Sequence, residues 1–415
     1  MSRMSIGTFL SAAKKHLQQA LKNNGTASFV IGNESADLDS ITCALVYGYL
    51  QSSRPEARRA NEFVIPVTNI PASELSLRPE LAALLGDANL KPSDLITLDD
   101  LGKPPLGLNK TSWTLVDHNG PTGIVAEHYA DCLAGVIDHH DDEHKVPLSA
   151  KPRIIEKTGS CNSHVVNYCR ESWDTISSGS SSVGAALGQS SDGITDDTAY
   201  TSTWDAQLAK LSLGSILIDT FNMRSEDKIT DHDRKAVRYL EARINASPKI
   251  GKDYDRDAFF NGINSAKSSL DALSLRDILR KDYKQWSEGD MTLGISSVVQ
   301  PVEYLTKKVD GDFVQALVEF AKSRELQLYA VMTASTTDSG GFARQLLLLS
   351  LEEGKPKQAV QRFVQQCSNE LQLQDSALDV SATSAQVPWM HFWDQNEVKA
   401  SRKRVGPLLR EAMQP

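Results

Sequence analysis

Cysteine is scarce in this 415-residue chain. Its five cysteines (Cys43, Cys132, Cys161, Cys169 and Cys367) are odd in number and contain no CxxC pair. That excludes a disulfide framework and a thiolate zinc site, and it fits a reducing compartment. Long apolar runs are missing too. Leu346–Leu349 is far below the ~20 residues a membrane helix needs, so no membrane span is expected. Positive charge is in deficit, with 44 Lys and Arg against 53 Asp and Glu and a net charge of −9. A bulk-acidic chain is not built to coat nucleic acid. To bind a polyanion it would need metal ions or a local basic cluster.

No internal repeat is visible, and no secretory apolar core opens the chain. Phe9, Ala13, Leu17 and Leu21 recur every four residues instead, as one face of an amphipathic helix. No acid precedes Glu34, while Arg3, Lys14, Lys15 and Lys22 are basic, a faint likeness to a mitochondrial presequence. Arg3 is the sole arginine there, so a structural helix is the expectation. The expected location is the cytoplasm, with the mitochondrial matrix as the lesser alternative.

What is present is ordinary for a globular protein: 40% hydrophobic and 23% charged residues, in a length that suits two to four domains. Short β-rich runs (Ser28–Ile31, Phe63–Val67, Leu95–Leu98, Trp113–Val116, Leu133–Ile137, Arg153–Glu156, Ile216–Ile218) alternate with helical stretches such as Ile41–Leu50. That pattern predicts an α/β fold built on a doubly wound, mainly parallel sheet. Residues 177–197 form a Ser/Gly-rich tract that reads as a loop insertion. Thr230 and Asp233 make a capping box for a helix stopped by Ser247-Pro248. The polar stretch Lys249–Asp255 then marks a boundary between residues 1–248 and a smaller α+β domain, 249–415.

Five of the nine histidines (His118, His128, His139, His140, His144) fall between residues 118 and 144. Acids stand beside them. Ser28–Ile31 runs towards Asn33, Asp37 and Asp39; Trp113–Val116 runs into Asp117-His118-Asn119. Leu133–Ile137 runs into Asp138-His139-His140, and Ile216–Ile218 into Asp219. Ligands of open parallel sheets bind beyond the carboxyl ends of strands. Carboxylates gathered there would repel one another and hold protons unless divalent cations intervened. Such an oxygen-rich set with one or two imidazoles suits Mg²⁺ or Mn²⁺, with Co²⁺ also compatible, better than structural zinc.

Asp37-Leu-Asp39-Ser40, Asp117-His118-Asn119, Asp138-His139-His140 and Asp219 resemble the four motifs of the DHH phosphoesterase superfamily. Within it the chain is similar to the branch holding family II inorganic pyrophosphatases, eukaryotic exopolyphosphatases and Prune-type phosphodiesterases. Phe342 after Gly340-Gly341, where RecJ-like nucleases have His, argues against a nuclease. The resemblance implies two metals bridged by Asp117, with Asp37 on one and Asp39, His139 and Asp219 on the other. His140 would face the phosphates. Asn33 stands where the pyrophosphatases carry a ligating His; as a weaker, harder ligand it would lean the site towards Mg²⁺.

Arg402, Lys403 and Arg404 stand out in an acidic chain, and with Lys284, Arg344 and His164 they are the candidate phosphate-binding residues. Arg grips phosphate oxygens in a fork, and Lys adds a point charge. The function this implies is exopolyphosphatase, cutting the terminal phosphoanhydride of linear inorganic polyphosphate. The active site would lie in the cleft between the two domains of a monomer. A Prune-type phosphodiesterase or short-chain polyphosphatase is the enzymatic alternative. An interaction protein with a vestigial site is the alternative of another class.

Overall fold

The structure is a computed structural model describing residues 3–103, 105–186, 196–271, 273–336, 341–378 and 387–414. Its chain divides into two compact units, Met1–Ser269 and Leu270–Pro415. The first is built on six strands: β1 (Thr26–Ile31), β2 (Val64–Thr68), β3 (Ile96–Thr97), β4 (Lys110–Val116), β5 (Leu133–Asp138) and β6 (Arg153–Ile155). They lie in the order β3-β2-β1-β4-β5-β6, and every pairing is parallel. β1, β4 and β5 are almost wholly buried, as strands covered on both faces are.

Among the described residues, ten α-helices surround or extend this sheet. The early ones are α1 (Ile6–Lys22), α2 (Leu38–Ser53), α3 (Pro55–Ala60), α4 (Pro79–Asp87), α5 (Leu98–Leu101) and α6 (Gly123–His128). The later ones are α7 (Cys161–Ala186), α8 (Asp196–Asp219), α9 (Asp231–Asn245) and α10 (Arg256–Ser268). α1 is the amphipathic helix expected from its four-residue repeat, with Phe9, Ala13 and Leu17 buried. α2 is buried along its whole length, packed by β2, α7 and α8. The Thr230–Asp233 capping box opens α9 as its sequence predicts.

Three expectations need correction. Ile216–Ile218 is not a strand but the last turn of α8. A short apolar run reads alike in a buried strand and a buried helix, and here Leu208, Leu211, Leu213, Ile216 and Leu217 are fully buried on a helix enclosed by its neighbours. The 177–197 tract is not a loop throughout: residues 177–186 continue α7 and residues 196–197 open α8, while residues 187–195 lie outside the described residues. Serine is accommodated because its hydroxyl can bond back to the preceding turn, as Ser177 does to Trp173 O at 2.9 Å and Ser178 to Asp174 O at 2.8 Å. Finally, the first unit continues to Ser269 rather than ending at residue 248. Lys249–Asp255 is a turn within it, since Phe259, Phe260 and Ile263 of α10 belong to the first core.

The second unit is α+β. Its main strands are β7 (Tyr283–Glu288), β8 (Met291–Val298) and β9 (Leu328–Thr333), followed by a two-residue ladder of β10 (Ser335–Thr336) and β11 (Phe342–Ala343). β12 (Gln345–Ser350), β13 (Leu373–Asp375) and β14 (Trp389–Gln395) complete it. The sheet order is β13-β14-β12-β9-β8-β7, antiparallel except for β8 beside β9. Helices α11 (Leu275–Lys281), α12 (Val302–Thr306) and α13 (Phe313–Lys322) belong to one apolar core of this unit. α14 (Lys355–Leu371) and α15 (Arg402–Met413) belong to the other.

The helical assignment of the α8 segment is testable at Gly214. A Cβ there would lie 2.6 Å from Leu84 Cδ1 on α4 and 3.2 Å from Ile263 Cδ1 on α10. Overpacking a filled core costs about 1–3 kcal/mol, so Gly214→Val should lower the urea midpoint of the first unit's transition. An unchanged midpoint would contradict this packing.

Candidate metal centre

In a parallel sheet ordered 3-2-1-4-5-6, the chain reverses direction of winding between β1 and β4, and a crevice opens beyond their carboxyl ends. The chemistry-bearing residues gather there. β1 leads into Asn33 and Asp37, β4 into Asp117, and β5 ends in Asp138 before His139 and His140. Asp37 caps α2 by accepting from Ser40 N at 3.0 Å, which sets Asp39 in the first helical turn. Asp219 arrives from the end of α8. Asn33, Asp37, Asp39, Asp117, His139, His140 and Asp219 all line one recess of about 820 Å³.

Asp117 is buried, and its backbone is left-handed at φ +61°, a conformation that costs a non-glycine residue about 1–2 kcal/mol. Its carboxylate accepts from Ser40 Oγ at 2.6 Å and Asn33 Nδ2 at 2.9 Å, and meets His139 Nε2 at 3.2 Å. Burial pushes the carboxyl up to about 6 against the His139 hydrogen bond, with Asp39 and Asp37 adding to the rise. Burial also opposes charge on His139. The Asp117 bond and the charge of Asp39 outweigh it, raising the imidazole to about 9. His139 Nδ1 is tied to Thr158 O at 3.0 Å, which leaves Nε2 as the ligating nitrogen.

Asp39 sits on the amino end of α7. Its Oδ1 accepts from Ser160 Oγ at 2.7 Å and from Asn162 N and Nδ2, each at 3.1 Å; its Oδ2 accepts from Cys161 N at 2.7 Å. Unpaired helical N–H groups are natural partners for an anion. Asp219 is the opposite case: its Oδ2 is buried with no hydrogen-bond partner. Burial, then the charge of Asp39, pushes this carboxyl well above the usual range, and burial raises Asp37 likewise. A buried orphan oxygen among three further carboxylates is what a divalent cation satisfies, so these residues fit such an ion.

Ligand atoms of Asp117, Asp138, His139 and His140 also lie within 4.8 Å of one another. Asp138 is already engaged, however. It accepts from Asn119 Nδ2 at 2.6 Å and His139 N at 2.7 Å, and holds His140 Nδ1 at 2.8 Å. That last bond raises the His140 imidazole. Asp138 therefore orients His140, and the sequence reading had assigned it no role.

The family model described as "DHH family, N-terminal domain" matches residues 28–185, and the DHHA2 domain model matches residues 261–412. A candidate exopolyphosphatase of Schizosaccharomyces pombe is 33% identical over 99% of this chain and 98% of its own. The chain belongs to the DHH family. Exopolyphosphatase PRUNE1 of Homo sapiens is 26% identical over 95% of this chain and 77% of its own. A candidate manganese-dependent inorganic pyrophosphatase of Deinococcus radiodurans is 25% identical over 63% of this chain and 66% of its own. As a DHH-family phosphoesterase, the chain is a hydrolase.

Within this DHH protein the remaining candidates are placed differently. Asn33 lines the recess and turns its amide nitrogen to Asp117. Its Oδ1 accepts from Ser35 N and Oγ and Ala36 N, which sets that orientation. His164 does not line the recess; its Nε2 is 2.7 Å from Glu156 O and its ring meets His232. Arg344, Lys284, Arg402, Lys403 and Arg404 are in the second unit. Arg402 bonds Asp282 Oδ1 at 2.6 Å and its carbonyl at 2.8 Å, and Arg404 Nε bonds Glu370 at 2.6 Å. Arg344 Nε donates to Val398 O at 2.7 Å. The recess carries lysines that sequence reasoning missed, Lys157, Lys228 and Lys267, because no spacing marks them.

The Asp117–His139 pair gives the metal-free protein a pH signature. A histidine raised from 6.5 to about 9 contributes stability that is complete below pH 6.5 and is lost as pH rises through 9. With metal chelated, the melting temperature of wild type relative to His139→Gln should fall between pH 7 and 10. A constant difference across that range would refute the pairing.

Proposed function

We propose that this chain is an exopolyphosphatase that releases orthophosphate from the ends of linear inorganic polyphosphate, acting as a cytoplasmic monomer with two divalent cations. The observation that carries this reading is the convergence of Asp37, Asp39, Asp117, His139 and Asp219 on one recess, with the Asp219 Oδ2 left without a donor. The S. pombe and human relatives bear exopolyphosphatase names. The Deinococcus relative's name specifies manganese. Mg²⁺ and Mn²⁺ both suit the oxygen-rich set.

Asp117 would be shared between the ions, with Asp37 serving one and Asp39, His139 and Asp219 the other. Asp39 can do so because its Oδ2 accepts only from Cys161 N among the described residues. When bound, the ions would activate water and neutralise phosphoryl charge. His139 must give up its Nε2 proton to ligate, which its Nδ1 bond to Thr158 O permits. His140, half-exposed and held through Nδ1 by Asp138, keeps a proton that it donates to the leaving phosphate oxygen. General acid help of this kind contributes ~10²–10⁴-fold. Lys403 and Lys284, which have no ion pair among the described residues, would meet phosphates behind the one being cleaved.

The first test is phosphate release from long polyphosphate, tripolyphosphate, pyrophosphate and a cyclic nucleotide, each with Mg²⁺, Mn²⁺ and Co²⁺. Long chains should be the best substrate; preference for the cyclic nucleotide would overturn the proposal. Asp117→Asn should abolish turnover by several orders of magnitude while leaving a folded protein, because it relieves carboxylate repulsion. A folded variant of near-normal activity would remove Asp117 from the centre.

The lysines call for a salt series. Lys284→Ala with Lys403→Ala should raise KM for long chains far more than for tripolyphosphate, and added salt should shrink the gap between variant and wild type, since screening weakens exposed charges in the wild type. Equal kinetics at low salt would leave these lysines as a solvated surface.

A further inference from the structure

The Thr158–Ser160 loop holds the candidate centre in three ways. Thr158 O fixes His139 Nδ1, Ser160 Oγ binds Asp39, and the loop delivers Cys161 N and Asn162 N to the same carboxylate. The Ser160 hydroxyl also favours the ionised form of Asp219. No ligand-type residue lies in the loop, so its own placement has to come from elsewhere.

It comes from Asp233, which is fully buried on the first turn of α9. Capping that helix uses only its bonds to Thr230, from N at 2.7 Å and Oγ1 at 3.0 Å. The same carboxylate accepts from Thr158 Oγ1 at 2.8 Å, Gly159 N at 2.9 Å and Ser160 N at 3.3 Å, and from Ser163 Oγ at 2.6 Å. Both oxygens are committed, and each takes loop donors. The approach is close: a Cβ on Gly159 would lie 2.6 Å from Thr220 Cγ2 and 3.2 Å from both Asp233 oxygens. Thr220, the residue after Asp219, is itself fully buried. The loop is thus clamped between Asp233 and the segment that carries Asp219.

We infer that Asp233 is a positioning residue of the metal centre, holding the Thr158–Ser160 loop so that His139, Asp39 and Asp219 present a preorganised set of ligands. This rests on the metal-dependent reading above. An ordinary helix cap would stabilise α9 without reaching the ligands. Asp233 reaches three of them through a single loop, and an amide in its place would set an NH₂ group against donors whichever way it turned.

The test separates a cap from a positioning role by measuring Mn²⁺ affinity by calorimetry on the full chain, beside melting temperature. Thr230→Val removes the cap oxygen, with its bonds to His232 N and Asp233 and its 3.1 Å contact with Thr158 Oγ1, and leaves Asp233 with its three loop donors. It should lower the melting temperature with Mn²⁺ affinity unchanged. Asp233→Asn should weaken Mn²⁺ binding on the order of 10–100-fold, the usual effect of losing a partner behind the ligands. Thr158→Val is the milder variant, removing one hydroxyl donor to Asp233 while keeping the carbonyl bonded to His139, and it decides the matter if Asp233→Asn fails to fold. It should weaken binding several-fold, with kcat falling more than KM rises. Wild-type Mn²⁺ affinity in Thr158→Val and in a folded Asp233→Asn would overturn the inference alone. A wild type that binds no Mn²⁺ would bring down the metal reading and this inference with it.

Discussion

Repulsion among like charges is the constraint on which this site depends. Asp37, Asp39, Asp117 and Asp219 share one recess, and their mutual effect raises the carboxyl groups of Asp37, Asp117 and Asp219 beyond what burial does alone. Left to themselves these groups would separate or hold protons. The first unit prevents the former by building them onto three rigid elements: α2, with Asp37 as its N-cap and Asp39 in its first turn, the residue after β4, and the end of α8. Close acids on one flexible loop would relax apart.

Holding them there strains the backbone. Asp117 is left-handed at φ +61°, and Phe221, Asn222 and Met223, just after Asp219, follow at +49°, +57° and +59°. The second turn is stitched by Asn222 N to Leu217 O at 2.6 Å and Met223 N to Thr220 Oγ1 at 3.2 Å. Such conformations persist only where surrounding structure over-determines them, and they concentrate at functional sites. Here they flank the two acids that burial and neighbouring charge raise most clearly.

Much of this was legible in sequence because an apolar strand followed at once by Asp is a local signal. β1, β4 and β5 and the acids beyond them could be read without knowing the fold. Asp219 was found as a residue but assigned to the wrong element, since three apolar residues do not distinguish a strand end from the last turn of a buried helix. The orientation of Asn33 was hidden for a different reason. Its type permits ligation, and only the turn formed with Ser35 and Ala36 aims its nitrogen, not its oxygen, at Asp117. Asp233 showed its capping role, which spans three residues, and hid its bonds to Thr158 and Gly159, which span more than seventy. The pairings of Arg402 with Asp282 and Arg404 with Glu370 were hidden likewise.

The choice of partners says what the carboxylates are for. A fold that needed only to bury Asp39 and Asp117 would pair them with Arg or Lys, and their charge would then be spent. They are held instead by neutral donors: Ser40 and Asn33 on Asp117, Ser160 and the backbone of Cys161 and Asn162 on Asp39. Hydrogen bonds of this kind fix geometry and favour ionisation without cancelling the negative charge. His139 is the cationic exception, and a raised imidazole is a placeholder that a metal displaces by taking its proton's position. The acidic balance of the chain fits this arrangement, because five aspartates line the recess against three lysines. Lys157 on its wall is paired with Asp141 at 2.8 Å, and the charge of Lys267 bears on Asp37.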